Sequence, residues 1–99
     1  MKTVSNQTKF WQSQDADHHL HPFTSHPDLK RRGVRMITHA EGVYVYDSEG
    51  EKMLDCMAGL WCAQVGYGNK ELIEAATTAM STLPYYNLFF NTSNPAATE

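Results

Sequence analysis

Residues 35–55 read RMITHAEGVYVYDSEGEKMLD, and this stretch decides the fold. It holds two runs rich in β-branched and aromatic residues, 35–40 and 43–46, which are typical of strands. The segment DSEG at 47–50 is typical of a tight turn, because Asp opens type I turns and Gly tolerates a left-handed backbone. With a return strand at 52–55, the stretch predicts a three-strand antiparallel meander, which needs another layer on one face.

One helix is well marked downstream of the meander. Asn69 is a suitable N-cap, Pro84 stops the helix, and residues 70–83 between them carry an apolar stripe. The stripe predicts a face packed against a core. Its members are Leu72, Ile73, Ala76, Ala79, Met80 and Leu83. Upstream of the meander, residues 10–20 predict at best a short, weak helix.

The remainder of residues 1–33 is expected to be irregular. Residues 1–9 are polar and are expected to fray, as termini commonly do. Two prolines make residues 21–27 a loop that carries one large apolar side chain, Phe23. The basic run at 30–35 is expected to be a solvated surface between two elements, with a phosphate-contacting patch as the alternative.

Composition excludes several classes of protein. The chain has 99 residues, a length that allows one small domain at most. Its net charge is −3 and its pI is about 5.9. Its mildly acidic balance argues against general nucleic-acid binding. No apolar run approaches the roughly 20 residues of a membrane span, and the N-terminus lacks the apolar stretch of a secretory signal. We therefore expect a cytoplasmic protein with no nucleic-acid or membrane partner.

Histidines and cysteines raise the question of a metal site. Four of the five histidines lie within residues 18–26, with Asp15 and Asp17 nearby. A metal centre needs ligands of fixed spacing on a rigid element, so the sequence favours a solvated helix end and predicts no metal site. Cys56 and Cys62 lack the usual spacing of zinc ligands and are expected to be reduced and buried.

The segment AGLWCAQVGYG at 58–68 combines three glycines with large apolar residues and has no clear periodicity. An apolar wall on a flexible backbone makes a poor core and is common in binding sites. From the residue types alone, a binding loop and a buried structural loop remain equally open.

Aromatic residues crowd the segment that follows the helix. Tyr85, Tyr86, Phe89 and Phe90 fall within six positions, which predicts core, a subunit interface or a ligand wall. Base stacking would need interleaved basic residues, and these are missing. Asn94 and Pro95 then mark a second helix start one turn before the last residue, so we expect an N-terminal piece of a longer protein.

Four segments together resemble the opening of the class III pyridoxal-phosphate (PLP) aminotransferases. They are HHLHPF at 18–23, GVYVYDSEGEKMLD at 42–55, AGLWCAQVGYGNKEL at 58–72 and LPYYNLFFNTSNPA at 83–96. The second contains G-x-Y-x-x-D-x-x-G-x-x-x-x-D, a pattern shared across the class. GLWC together with HHLHPF resembles the ω-transaminase branch, whose members move an amino group from an amine or ω-amino acid to pyruvate.

The resemblance implies an α/β fold, the N-terminal part of a fold type I PLP-dependent transferase with an N-terminal helix, a three-strand antiparallel meander and a helix. Residues 1–33 would form an N-terminal arm with a short helix and a Pro-rich loop. Residues 34–99 would form the N-terminal part of the small domain, leading into a large domain absent from this chain. The resemblance further implies a homodimer, PLP as cofactor, and a small-molecule amine and keto acid as substrates.

The resemblance also decides the open question about residues 58–68 in favour of a site. It implies that Phe23 and Trp61 line the substrate pocket, with Leu60 beside Trp61 as a further candidate. It implies that Phe89 and Phe90 lie near the dimer interface, where they can contribute to the pocket of the partner chain. Lys30, Lys52 and Lys70 are not flanked as the family's catalytic lysine is. We therefore predict no catalytic and no cofactor-binding residue in this chain, and expect the chain alone to be inactive.

An alternative from another class is a free-standing α+β interaction module. Such a module would dock a partner protein through the aromatic run at 85–90. Solubility and cooperative folding of the 99-residue chain would favour it.

Overall fold

The computed structural model describes residues 4–99. The chain divides into two compact units, the first ending at Tyr67 and the second comprising Gly68–Glu99. The first unit contains two helices and three strands. They are α1 (Asn6–His18), α2 (His26–Arg32), β1 (Ile37–Glu41), β2 (Tyr44–Asp47) and β3 (Lys52–Leu54).

Two further helices and one unusual turn complete the structure. The second unit contains α3 (Lys70–Thr82) and a short 3₁₀ turn (Pro95–Ala97). A four-residue helical segment, Ala58–Trp61, follows the sheet in the first unit. Its backbone is left-handed, and we refer to it as the Trp61 turn. No helix of the described residues is both long and apolar enough to cross a membrane.

The three strands form an antiparallel sheet in the order β1–β2–β3, which confirms the predicted meander. On the first ladder Ile37 pairs with Asp47 and Glu41 pairs with Tyr44, with an irregularity after Ile37. On the second ladder Tyr44 pairs with Leu54. The observed strand ends differ from the predicted ones by one or two residues.

The β2–β3 hairpin closes as its sequence predicts. Oδ1 of Asp47 accepts backbone hydrogen bonds from Glu49 and Glu51, both at 2.9 Å. Gly50 has φ = +77°, a left-handed conformation that glycine adopts at no steric cost. Asp47 is nearly buried, so these bonds form where water competes little for the carboxylate.

Helix α1 is longer than predicted. It begins at Asn6 because the Ser5 hydroxyl caps it, accepting a 3.2 Å hydrogen bond from the backbone N–H of Thr8. Thr8 is only 3% exposed, and its hydroxyl donates to that of Ser48 at 2.7 Å. The expectation of a short, weak helix is therefore wrong, as is that of a frayed segment for residues 5–9. Residues 1–3 of that segment lie outside the described residues.

Helix α2 shortens the predicted proline loop. Pro27 lies in the first helical turn, where a missing N–H costs no hydrogen bond, so the helix begins at His26 instead of after the loop. The basic run provides the last turn of this helix. Asp28 pairs with Arg31, and with Arg32 at 3.1 Å. Gly33, with φ = +74°, ends the helix.

Apolar side chains are not buried anywhere among residues 4–99. The stripe of α3 was expected to face a core, yet Met80 is 69% exposed and no residue of this helix is buried. The reason is that its unit contains no second element except one 3₁₀ turn. Cys56 and Cys62 are also exposed, contrary to expectation, because they flank the Trp61 turn instead of facing an apolar layer.

Candidate substrate-binding site

The Trp61 turn has the least usual backbone of the structure. Ala58, Gly59, Leu60 and Trp61 have φ values of +48°, +58°, +62° and +69°. Among these residues only glycine adopts such φ values freely. For each of the other three, the left-handed backbone costs about 1–2 kcal/mol of conformational free energy. The turn is closed by backbone hydrogen bonds from Trp61 to Met57 (2.9 Å) and from Cys62 to Ala58 (2.8 Å). It presents Trp61 outward with 80% of its surface exposed.

A single carboxylate, that of Asp55, binds the start of this turn. Its Oδ1 accepts a hydrogen bond from the backbone N–H of Met57 at 3.0 Å. Its Oδ2 accepts one from the N–H of Gly59 at 2.9 Å. Asp55 is the first residue after β3, so the sheet holds its backbone in place. From this position the carboxylate reaches both N–H donors.

Tyr67 brings the far end of the loop to the same carboxylate. Its hydroxyl donates a 2.5 Å hydrogen bond to Oδ2 of Asp55. This hydrogen bond is the main reason that the pKa of Asp55 lies below its ordinary value and that of Tyr67 above its ordinary value. The backbone N–H groups of Gly59 and Met57 lower the Asp55 pKa further. The ionised carboxylate and the neutral phenol are therefore the favoured forms.

A backbone bridge anchors Tyr67 to the turn between β1 and β2. The N–H of Tyr67 donates to the carbonyl of Gly42 at 2.7 Å, and the N–H of Gly42 donates back at 3.0 Å. The two chains approach closely because position 66 is glycine: a Cβ there would lie 2.7 Å from the Gly42 carbonyl oxygen. Gly66 also has φ = +77°. The loop 58–68 is thus held at both ends by the sheet.

Phe23 lies on a second anchored loop of the same unit. It has φ = +48° and is fully exposed, at 104%. Two residues earlier, Nε2 of His21 lies 2.8 Å from Oδ2 of Asp15 on α1. Nδ1 of His19 lies 3.3 Å from the other carboxylate oxygen. The hydrogen bond with His21 is the main reason that the Asp15 pKa lies below its ordinary value.

The cluster of Asp15, His19 and His21 was expected to be a solvated helix end. The structure instead brings one ligand-capable atom of each within 4.8 Å of the others, an arrangement that could hold a metal ion. The hydrogen bonds between the carboxylate and the two imidazoles account for the same contacts. We therefore assign the cluster to anchoring the chain just before Phe23.

Phe89 and Phe90 belong to the second unit and contact each other. Their ring centroids lie 6.4 Å apart at an interplanar angle of 76°, an edge-to-face arrangement. Phe90 and Asn91 have φ values of +56° and +63°. The turn is closed by the side chain of Asn87, whose Oδ1 accepts a 3.0 Å hydrogen bond from the N–H of Phe89. Both rings are largely exposed.

Four of the five predicted site residues have an unusual backbone. Six non-glycine residues have positive φ among residues 4–99, and four of these six are predicted pocket residues. Strained backbone is typical of functional sites, because packing for stability alone does not require it. The structure brings Leu60 next to Trp61 and Phe89 next to Phe90. Phe23 is fully exposed and so packs against neither Leu60 nor Trp61.

Two residues that support the site, Asp55 and Tyr67, are not among the predicted site residues. Asp55 is the last Asp of the class III pattern, and Tyr67 is one of the large apolar residues of segment 58–68. The available signal was an Asp directly after a strand and before a glycine-rich segment, a position that favours side-chain hydrogen bonds to the following backbone. No sequence signal marks Tyr67 as the partner of this carboxylate, since they lie twelve residues apart.

Comparison with known proteins gives these features a context. Residues 28–99 match the model of the family "Aminotransferase class-III". The chain is 58% identical, over 93% of its length, to a putrescine–pyruvate aminotransferase of Pseudomonas aeruginosa. It spans only 20% of the length of that relative.

Solved structures of ω-transaminases resemble the described fold. The Pseudomonas jessenii enzyme in complex with PMP matches 88% of this chain at 38% identity, with a TM-score of 0.77, and 19% of that enzyme is covered. A second match is a thermostable ω-transaminase variant with tryptophan replaced by glycine, engineered for asymmetric synthesis of enantiopure bulky amines. It matches 89% of this chain at 34% identity, with a TM-score of 0.78, and 20% of that enzyme is covered.

These similarities confirm the expected fold class, the N-terminal part of a PLP-dependent transaminase fold with helices and a three-strand antiparallel sheet. The match to the family model extends over most of the chain, from α2 to the last residue. The chain belongs to the class III aminotransferase family.

Proposed function

We propose that this chain is part of a PLP-dependent ω-transaminase that transfers an amino group from an amine or ω-amino acid to pyruvate. Within it, Phe23, Leu60 and Trp61 line the substrate pocket, and Phe89 and Phe90 contribute to the pocket of the partner subunit. The observation that carries the proposal is the left-handed backbone shared by four of these five residues. The putrescine–pyruvate aminotransferase at 58% identity supports the amine and pyruvate as substrates.

The role of Trp61 is to form an apolar wall. The indole projects outward from the turn, so most of its surface is available to a ligand or a partner chain. Burying such a ring against the hydrocarbon part of an amine removes water from both surfaces. The wall thereby sets the size of the amine and keeps water from the reacting nitrogen. The engineered tryptophan-to-glycine transaminase for bulky amines supports this role.

PLP supplies the electron sink for amino transfer when it is bound. The residues described here do not fit a PLP site. Lys30, Lys52 and Lys70 are exposed, and Nζ of Lys52 lies 3.9 Å from the ring centroid of Tyr44 on the sheet. The first turn of α3 is already capped by Asn69, which accepts from Leu72 at 3.1 Å. We therefore assign this chain no step on the cofactor, and expect it to be inactive alone.

The proposal extends to architecture. Residues 1–33 form an arm and residues 34–99 the beginning of the small domain of a cytoplasmic homodimer. The exposed pair Phe89 and Phe90 is the candidate contact with the partner subunit, where the rings add to its pocket. An interface is supported by exposed aromatics of this size, which are costly to leave in water.

A free-standing interaction module is less well supported. A domain that folds alone must bury enough apolar surface to offset its conformational entropy. Residues 4–99 bury no hydrophobic side chain. The aromatic run Tyr85–Phe90 is better explained as one part of a larger apolar surface that other elements of the enzyme cover.

The test is an assay of the complete enzyme that contains this chain. It is incubated with PLP and pyruvate, and with putrescine, an ω-amino acid or an arylalkyl amine in parallel. The proposal predicts formation of alanine with at least one of these donors. Amino transfer that proceeds only with 2-oxoglutarate as acceptor, or no consumption of any amine, would contradict it.

A further inference from the structure

The Trp61 turn is held by very few contacts. Its residues are largely exposed, and no apolar layer packs against it among residues 4–99. The side-chain hydrogen bonds that reach it come from three residues. They are Asp55, Gln64, whose amide donates to the carbonyl of Trp61, and Cys62, whose Sγ donates weakly to the carbonyl of Leu60 at 3.5 Å. A turn with unfavourable φ values and little packing depends on such bonds to keep one conformation.

The carboxylate of Asp55 joins the two ends of the loop. It binds the N–H of Gly59 at 2.9 Å inside the turn and the hydroxyl of Tyr67 at 2.5 Å at the end of the loop. Tyr67 is itself fixed to the sheet through its two backbone bonds with Gly42. A displacement of the turn at Gly59 therefore breaks a hydrogen bond to a charged acceptor, which is among the stronger kinds.

Gly59 completes the arrangement. A Cβ at this position would lie 3.0 Å from the Tyr67 hydroxyl oxygen, closer than side chains normally approach. The hydroxyl passes over the glycine to reach the carboxylate. Gly59 therefore serves this arrangement twice. Its N–H donates to the Asp55 carboxylate, and its lack of a side chain leaves room for the Tyr67 hydroxyl.

We propose that Asp55 and Tyr67 are positioning residues that fix the Trp61 side chain and thereby set which amines the enzyme accepts. This inference rests on the proposed function, in which Trp61 lines the amine pocket. Neither residue touches the substrate. Loss of the Tyr67 hydroxyl leaves the Asp55 carboxylate less firmly held, so the turn that it binds becomes more mobile and larger amines gain access. The depressed pKa of Asp55 keeps its carboxylate ionised, which is the form that accepts all three bonds.

The experiment compares Tyr67→Phe with wild type in the complete holoenzyme. The measured quantity is the ratio of kcat/KM for a bulky arylalkyl amine to that for a short diamine, both with pyruvate. We expect the ratio to rise about three- to tenfold, the factor that one hydrogen bond is typically worth. Asp55→Asn, which disturbs all three bonds, should shift the ratio in the same direction and further.

Tyr44→Phe is the matched control. It removes a hydroxyl from a tyrosine on β2 that makes no hydrogen bond through that group within residues 4–99. It should leave the ratio unchanged. Thermal unfolding and PLP content of each variant show whether a shift comes from general loss of structure.

A double-mutant cycle separates positioning from a merely structural role. In a Trp61→Cys background the wall is absent, so Tyr67→Phe should change the amine ratio no further. An equal shift in both backgrounds, or no shift in either, would overturn the inference. If Trp61→Cys alone leaves the ratio unchanged, the proposed pocket fails. If Trp61→Cys shifts the ratio and Tyr67→Phe does not, only the positioning role fails.

Discussion

The hydroxyl of Tyr67 donates a 2.5 Å hydrogen bond to Oδ2 of Asp55, and this contact joins the two ends of the loop that carries Trp61. The same carboxylate binds backbone N–H groups of Met57 and Gly59. One acidic side chain at the end of β3 therefore determines the course of the eleven-residue segment 58–68. Asp55 is the last residue of the pattern G-x-Y-x-x-D-x-x-G-x-x-x-x-D, and its hydrogen bonds give a physical reason for an Asp at that position.

The pH dependence of this contact follows from the two pKa shifts. The Asp55 pKa lies below 3.8, so the stabilisation by its ionised form is present above pH 3.8 and is lost as the pH falls through the folded-state pKa. The Tyr67 pKa lies above 10.0, so the stabilisation by its neutral form is present below pH 10.0 and is lost as the pH rises through the folded-state pKa.

Tyrosinate absorbance measures the second of these shifts. The difference between the titrations of the wild-type enzyme and its Tyr67→Phe variant isolates this one phenol. We expect a midpoint above 10.0, because the hydrogen bond to Asp55 stabilises the neutral form. A midpoint at or below that value would mean that the phenol does not donate to the carboxylate in solution.

Replacement of Gly66 tests the backbone bridge. Gly66→Ala places a Cβ 2.7 Å from the carbonyl oxygen of Gly42, so the bridge between Tyr67 and Gly42 must open. Gly50→Ala is the matched control, because Gly50 has the same φ of +77° and nothing within 4 Å of the added Cβ. In both variants the positive φ should lower the free energy of unfolding by about 1 kcal/mol. In Gly66→Ala the clash should lower it by about a further 1–3 kcal/mol.

Chemical denaturation of the two variants gives these free energies of unfolding. Equal losses would show that the close approach at Gly66 is relieved without cost. Such a result would remove the argument that the sheet holds the end of the loop 58–68.

A substitution at Asp15 tests the anchor of the Phe23 loop. Asp15→Asn removes the charge that binds His21 at 2.8 Å and His19 at 3.3 Å, two residues or more before Phe23. The loop should become less well fixed, and KM for the amine should rise about three- to tenfold, with a smaller effect on kcat. Steady-state kinetics with a saturating keto acid measure this.

Asp17→Asn is the control on the same helix, since Asp17 is exposed and its side chain makes no hydrogen bond or ion pair among residues 4–99. It should leave KM unchanged. A similar rise in KM for both variants would assign the effect to the charge of α1 and not to the anchor.

Local sequence signals predicted the sheet and one helix well. The hairpin depends on Asp47 and Gly50, whose preferences act within the turn itself. Helix α3 begins at Lys70 because Asn69 caps it, accepting from Leu72 at 3.1 Å. Interactions within four residues of each other can be predicted from the sequence, because they need no knowledge of the tertiary fold.

Features that depend on distant contacts were missed. Helix α1 is longer than its composition suggests because Thr8 is buried against Ser48, forty residues away. In the Trp61 turn only Gly59 favours positive φ, whereas Leu60 and Trp61 adopt it against their preference. Their conformation depends on Asp55 and Tyr67. The pocket residues therefore stay a prediction from the family resemblance, and the contacts of Asp55 and Tyr67 could be found only from the structure.

Trp61→Cys in the complete enzyme tests the central proposal most directly, with Trp11→Cys on α1 as the control for loss of a tryptophan. The measurement is the ratio of kcat/KM for a bulky arylalkyl amine to that for a short diamine, with pyruvate as acceptor, together with the PLP content. We predict about a tenfold rise in the ratio for Trp61→Cys, with PLP content kept and no change for Trp11→Cys. Unchanged kinetics with both amines in the Trp61→Cys variant would contradict it.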